Sequence, residues 1–195
     1  MTGRARPARW LLTLAGCGLV ALAWVVMAVT PSDDAAEAPF VVVSQLGERA
    51  EGRNIAVTVD RVVAADTLRD QGWEADGDWV VVELDIESVR SESGVLFSWA
   101  SLQLGDRRYQ ASERPPNTIF GLPLSTGLAR AGAIAFELPE GTLDEARADG
   151  PTEAVLTFAV DREIRLDSLI ELTVDLGTLE SEATVELAPE AWGDS

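Results

Sequence analysis

Histidine and lysine are both absent: the 15 Lys+Arg positions are all arginine, set against 33 Asp+Glu in 195 residues. Without an imidazole the chain cannot assemble a Ser-His-Asp or Cys-His catalytic unit, a His-Glu-x-x-His metalloprotease helix, or most zinc and copper sites. Without an ε-amine it has no Schiff-base nucleophile and no P-loop phosphate clamp. The single cysteine, Cys17, falls inside an apolar run, so the rest of the chain has no disulfide, thiol nucleophile or redox pair. Arginine-only basicity beside abundant Ala, Val and Gly reads as the bias of a GC-rich genome rather than as function.

That apolar run extends from Trp10 to Val29, with only Thr13, Gly16 and Gly18 interrupting it. As a helix it reaches about 30 Å, the thickness of a hydrocarbon core. Arg4, Arg6 and Arg9 precede it and no arginine follows until Arg49, whereas Asp33, Asp34 and Glu37 come soon after. The positive-inside rule then predicts a single-pass anchor with its N-terminus in the cytoplasm, its body outside, and Trp10 at the headgroup boundary. A cleaved secretory signal competes for the same residues, but its candidate sites, Ala28-Val29-Thr30 and Ala36-Glu37-Ala38, are each followed by proline. A lipoprotein reading of Leu14-Ala15-Gly16-Cys17 meets the objection that apolar sequence continues from Gly18 to Val29.

Removing residues 1–30 takes away three arginines and no acid, leaving 12 basic against 33 acidic residues, a net charge of −21. Such a body repels nucleic acid and anionic lipid, and its acids read first as a solvated surface. Residues 31–39, Pro-Ser-Asp-Asp-Ala-Ala-Glu-Ala-Pro, form a short acidic stalk. The expected organisation is a cytoplasmic N-terminus over 1–9, a transmembrane helix over 10–29, a stalk over 30–39, a β-sandwich over 40–165, and a strand extension and tail over 166–195.

Beyond the stalk the dominant pattern is alternation with period two. Val80, Val82, Leu84 and Ile86 share one face while Val81, Glu83, Asp85 and Glu87 share the other. The pattern recurs with Ile55, Val57 and Val59; Ile134, Phe136 and Leu138; Leu156, Phe158 and Val160; Ile170, Leu172, Val174 and Leu176; and Val185 and Leu187. Phe40 to Leu46, Phe97 to Leu104 and Arg107 to Ala111 are further strand candidates, and only Leu143 to Ala148 reads as helix. Glycines between the runs suit short connections, so the fold class is all-β: an antiparallel sandwich of about seven to nine strands.

Four motifs come in a telling order. Arg53-Asn54-Ile55-Ala56-Val57 opens a strand; Gly77-Asp78-Trp79-Val80-Val81-Val82-Glu83-Leu84 forms a central one; Leu102-Gln103-Leu104-Gly105-Asp106-Arg107-Arg108-Tyr109 makes a hairpin; and the stretch from Gly127 to Pro139 reads G-x-x-x-x-G-x-x-x-F-x-x-P. From Gly52 to about Val160 the chain resembles a telokin-like family of bacterial surface domains of unknown function. The resemblance implies an immunoglobulin-like sandwich, secreted, lipid-anchored or membrane-tethered, and it supplies no catalytic residue. Ile86 is followed by Glu87 where that family commonly has asparagine.

The candidate partner-binding residues are Arg108, Arg114, Phe120 and Trp73. They belong to Arg107-Arg108-Tyr109, to Arg114-Pro115-Pro116-Asn117-Thr118-Ile119-Phe120, and to an acidic segment with Trp73 beside it. Loops mixing Arg, Tyr and Phe suit protein partners, although Tyr109, Ile119 and Phe120 can equally enter a core. Asp66, Asp70, Glu74, Asp76 and Asp78 are oxygen donors of the kind calcium takes, but they lack any fixed ligand spacing, so neither metal nor cofactor is expected. The function expected from the sequence is a membrane-anchored accessory or binding module of the bacterial envelope, without catalysis, acting on another envelope or membrane protein. A solute- or glycan-binding sensor is the alternative. A carboxylate hydrolase needs a positioned acid pair, and the sequence locates none.

Overall fold

The structure is a computed structural model that describes residues 9–29, 39–90, 95–148, 150, 152–161 and 167–192. Two compact units divide at Ala38 and Pro39. The first contains helix α1, Arg9–Val29, whose described side chains, Trp10 and 14–27, are exposed. Among the described residues no helix is long and apolar enough to cross a membrane, so the expected single-pass topology is not supported by the structure itself. Arg4, Arg6 and the stalk residues 30–38 lie outside the described residues, as does the side chain of Arg9.

The second unit is a β-sandwich. Its strands are β1 (Phe40–Ser44), β2 (Arg49–Glu51), β3 (Ile55–Asp70), β4 (Trp73–Ser88), β5 (Val95–Leu96), β6 (Trp99–Leu104), β7 (Arg107–Gln110), β8 (Pro123–Leu124), β9 (Arg130–Leu138), β10 (Glu153–Ala159), β11 (Ser168–Asp175), β12 (Glu180–Glu186) and β13 (Ala191–Trp192). One layer has the order β1-β11-β10-β6-β7; the other has β12-β3-β4-β9-β13, with β2 also on β3. A short helix α2, Thr142–Ala148, joins β9 to β10. The expected all-antiparallel arrangement needs correction at two edges, because β1 runs parallel to β11 and β12 runs parallel to β3. The residues after Leu166 supply β11, which lies between β1 and β10 inside the first layer, and the edge strand β12.

Alternation explains the main core. Ile55, Val57 and Val59 of β3, Val80, Val82, Leu84 and Ile86 of β4 and Ile134, Phe136 and Leu138 of β9 meet Ala100, Leu102 and Leu104 of β6, Leu156 and Phe158 of β10, and Ile170 and Leu172 of β11. A register shift between Val59 and Arg61 moves the inward set of β3 from odd to even positions, so that Val62 and Ala64 continue the same core.

A second shift, between Ala65 and Thr67, bends the far halves of β3 and β4. They close in a two-residue turn in which Gln71 and Gly72 both have positive φ, 43° and 93°, the signature of a type I′ hairpin. The tip is folded back. Asp70 is completely buried and accepts hydrogen bonds from the backbone N–H (2.7 Å) and side-chain amide (2.8 Å) of Asn117, in the connection after β7. That connection pairs with β9, Ser112 N–H donating to Ala135 and Ile119 N–H to Ala133. A second, smaller core results on the outer face of the β3-β4-β9 layer: Val63, Ala65, Leu68, Ala75, Trp79, Val81, Ala133, Ala135, Val185 and Leu187.

Two glycines of the Gly127–Pro139 stretch have distinct physical reasons. Gly127 sits at φ +70°, where a side chain is strained, and a Cβ on Gly132 would lie 2.3 Å from Cγ2 of Ile119. In the same stretch Phe136 enters the main core, and the Pro139 carbonyl accepts from the backbone and hydroxyl of Thr142 at the start of α2.

Candidate functional site

Few outward-facing side chains of the first layer contribute to either large core. Across β7, β6, β10 and β11 the register aligns Gln110 with Ser101, Ser101 with Thr157, and Thr157 with Glu171. The next row aligns Arg108, Gln103, Val155 and Thr173. On the other side of the first row Trp99 packs with Ala159 and Leu169 in a small apolar cluster. Except for Thr173 and Ala159, the residues of these rows line an open groove of about 1010 Å³, to which Glu137 and Glu153 also contribute.

The groove side chains differ in how far they are already engaged. Arg108 donates from Nη2 to Gln103 Oε1 at 2.9 Å, and Glu137 is paired with Arg114. The side chains of Gln110, Ser101, Thr157, Glu153 and Glu171 have no hydrogen-bond or ion-pair partner among the described residues. Because every strand of this face except the edges is bonded on both sides, a ligand lying on it meets side chains rather than free backbone groups. Beside the groove, the Tyr109 hydroxyl is buried with no partner among the described residues.

Of the residues singled out by sequence, Arg108 lines this groove. Arg114 lies elsewhere, over the outer face of the other layer. Its guanidinium sits 5.6 Å from the Trp73 ring centre and 5.7 Å from that of Trp79, and it pairs with Glu137. The two indoles meet edge to face at 6.0 Å, and Trp79 Nε1 donates to the Ala75 carbonyl at 3.2 Å. Trp73 is half-buried against the second core, and Arg114 remains exposed above it. Phe120 packs on the main core and meets Phe97 edge to face at 5.9 Å. Trp10 is exposed on α1. Thus Arg114 and Trp73 are brought together, while Arg108 and Phe120 lie apart from them.

The acidic segment resolves into separate contacts. Asp70 accepts from Asn117, Glu74 pairs with Arg69, Asp76 accepts from Thr67, and Asp78 accepts from the backbone N–H of Leu143 at the start of α2. No group of acids able to hold a metal ion occurs among the described residues. One other acid is perturbed: partial burial, then the neighbouring Asp85 and Glu83, hold the Asp60 carboxyl above the ordinary carboxylate range.

Groove residues such as Ser101, Gln103, Thr157 and Glu171 are absent from the sequence candidates. Their only signal is polarity at alternate positions, which any solvated strand face shares.

Fold and groove together define a β-sandwich protein with a polar sheet-face groove. No sequence-family model matches the chain, so the resemblance to telokin-like domains remains at the level of its motifs. No curated protein matches it as a relative either. Among solved structures it is similar to an uncharacterized β-sandwich protein of Clostridium difficile, at 11% identity over 75% of this chain and 100% of that one, with a TM-score of 0.45. It is also similar to MPT63, a secreted protein of Mycobacterium tuberculosis, at 14% identity over 70% of this chain and 98% of that one, with a TM-score of 0.46. The sandwich assignment rests on the chain's own strand pairing.

Proposed function

We propose that this protein is a non-catalytic binding module, held outside the bacterial cytoplasmic membrane by residues 10–29 and acting as an accessory to another envelope component. The observation that carries the reading is the groove on the β7-β6-β10-β11 face, in which Gln110, Thr157, Glu153 and Glu171 have no side-chain partner among the described residues. The apolar run behind three arginines and the acidic stalk support the location. The lack of histidine and lysine, and of any cysteine outside the run, supports binding over covalent or general-base chemistry.

Arg108 is the one sequence candidate on the groove; Arg114 and Trp73 form a second surface on which a protein partner would meet an exposed guanidinium backed by packed indoles. A photoreactive amino acid placed at Gln110, and separately at Arg114, tests both surfaces in living cells. A stoichiometric envelope component captured from one of them is the expected result. Capture of abundant background proteins alone from both positions overturns the accessory reading. A solute- or glycan-binding role is the second reading, favoured by the uncharged hydrogen-bonding groups along the groove.

A further inference from the structure

We propose that the groove is a saccharide site, which takes an uncharged glycan chain across β7, β6, β10 and β11. The inference rests on reading the groove as a binding surface, and it goes on to assign the ligand's class. Strand spacing of about 4.8 Å sets the four residues of the row Gln110, Ser101, Thr157 and Glu171 over about 14 Å, the span of a few linked sugar rings rather than of a compact solute. Each of these side chains carries hydrogen-bonding capacity that no described residue uses. Ser101 is buried in the floor of the row, and the amide of Gln110, the hydroxyl of Thr157 and the carboxylate of Glu171 offer donors and acceptors to a ligand that is itself covered in hydroxyls.

Beside this row Trp99 and Leu169, both largely buried against Ala159, present an apolar border to the groove. A sugar ring has one such edge, its C–H face, and an indole is a side chain suited to it. The alternation of one apolar and one polar row therefore matches the two sides of a pyranose laid on the sheet.

Charge narrows the class further. Among the described residues Glu153 and Glu171 have no ion-pair partner, and the one arginine that lines the groove, Arg108, is bonded to Gln103. Uronic, sulfated or phosphorylated sugars would meet two carboxylates and a domain of strongly negative charge, so anionic glycans are excluded. A peptide is disfavoured on different grounds. Extended peptides gain most of their affinity from backbone bonds to an open strand edge, and β6, β10 and β11 are paired on both sides.

The test uses the full chain in amine-oxide micelles, whose headgroup contains no sugar, titrated calorimetrically with chitohexaose, maltohexaose, oligogalacturonate and hexalysine. At least one neutral hexasaccharide is expected to bind with a dissociation constant in the micromolar to millimolar range, and oligogalacturonate and hexalysine are not. Gln110→Ala/Glu171→Ala removes two outward side chains that support nothing in the fold, and should weaken binding about tenfold or more; Gln110→Ala alone gives a smaller loss in the same direction. Failure of both neutral sugars to bind, equal binding of the anionic one, or undiminished affinity in the double variant overturns the saccharide assignment. In-cell capture from position Gln110 separates this failure from that of the wider reading. A protein captured there without sugar binding leaves a binding module with a protein ligand, whereas neither result leaves the groove without a role.

Discussion

The buried contact between the hairpin tip and the connection after β7 ties the arm to that connection on one side, while β12 pairs with β3 on the other. Asn117→Ala removes the side-chain amide that donates to Asp70 at 2.8 Å and leaves the carboxylate with the backbone N–H of residue 117 at 2.7 Å. A hydrogen bond to a charged group contributes about 1.5–3 kcal/mol, and complete burial of Asp70 keeps water from replacing it. For a domain of this size about 1 kcal/mol moves the melting midpoint by about 2–4 °C, so the substitution should lower it by about 3–12 °C. The assay is thermal unfolding of the full chain in amine-oxide micelles, followed by indole fluorescence, since Trp73 and Trp79 flank the contact. Amide hydrogen exchange should also quicken between Arg69 and Glu74 before the rest of the sandwich opens. Asp70→Ala with Asn117→Ala closes a double-mutant cycle, whose coupling should be of the same size as the lost bond. A midpoint shift under about 1 °C with unchanged exchange at the tip would refute the argument that this contact pins the arm to the sheet.

Gly132→Ala places a methyl group 2.3 Å from Ile119 Cγ2 and should destabilise the fold by about 1–3 kcal/mol, measured by urea unfolding; adding Ile119→Ala should recover part of the loss of the single glycine variant in a double-mutant cycle, and purely additive costs would refute a steric origin. Asp60→Asn should raise the unfolding midpoint at neutral pH. The folded state holds the Asp60 proton more tightly than the unfolded chain, so this group's contribution falls as pH rises from its unfolded value through its raised folded one. The gain should fade on acidification below the unfolded value, and it stays small because Asp60 is still exposed; a gain that persists unchanged in acid would contradict an origin in burial and carboxylate repulsion.

How much of this was legible in the sequence depends on whether period-two alternation carried the information. The inward residues of β4, β9, β10 and β11 read directly, because Val80, Phe136, Leu156 and Ile170 each sit in an unbroken alternating run. The arm did not. Its sequence from Asp66 to Asp78 contains five acids and two glycines and suggests a solvated connection, yet it forms the closing halves of two 16-residue strands. Two irregularities hid it: the register shifts beside Asp60 and Asp66 break the alternation, and the burial of Asp70 is satisfied by Asn117, 47 positions away. Val81 was expected on a wet face with Glu83 and Asp85, and the folded-back arm makes that face a second core.

The same limit governs the candidate sites, and it determines which surface is the better place to look for function. Aromatic and basic residues draw the eye in a sequence, but Trp79 is a core residue, Phe120 packs on Phe97, and the guanidinium of Arg114 covers two indoles while pairing with Glu137. Each has a structural task that would keep it in place without any partner. Gln110, Thr157 and Glu171 have no such task within the described fold. A solvated strand face explains polarity at these positions, since polarity there is all that solvation requires. It does not explain a groove of about 1010 Å³ in which a row of unengaged hydrogen-bonding groups runs beside a tryptophan-containing apolar row. That pairing is local to one face and lies outside the two larger cores, which makes the polar row of the groove the place where substitution should separate binding from stability.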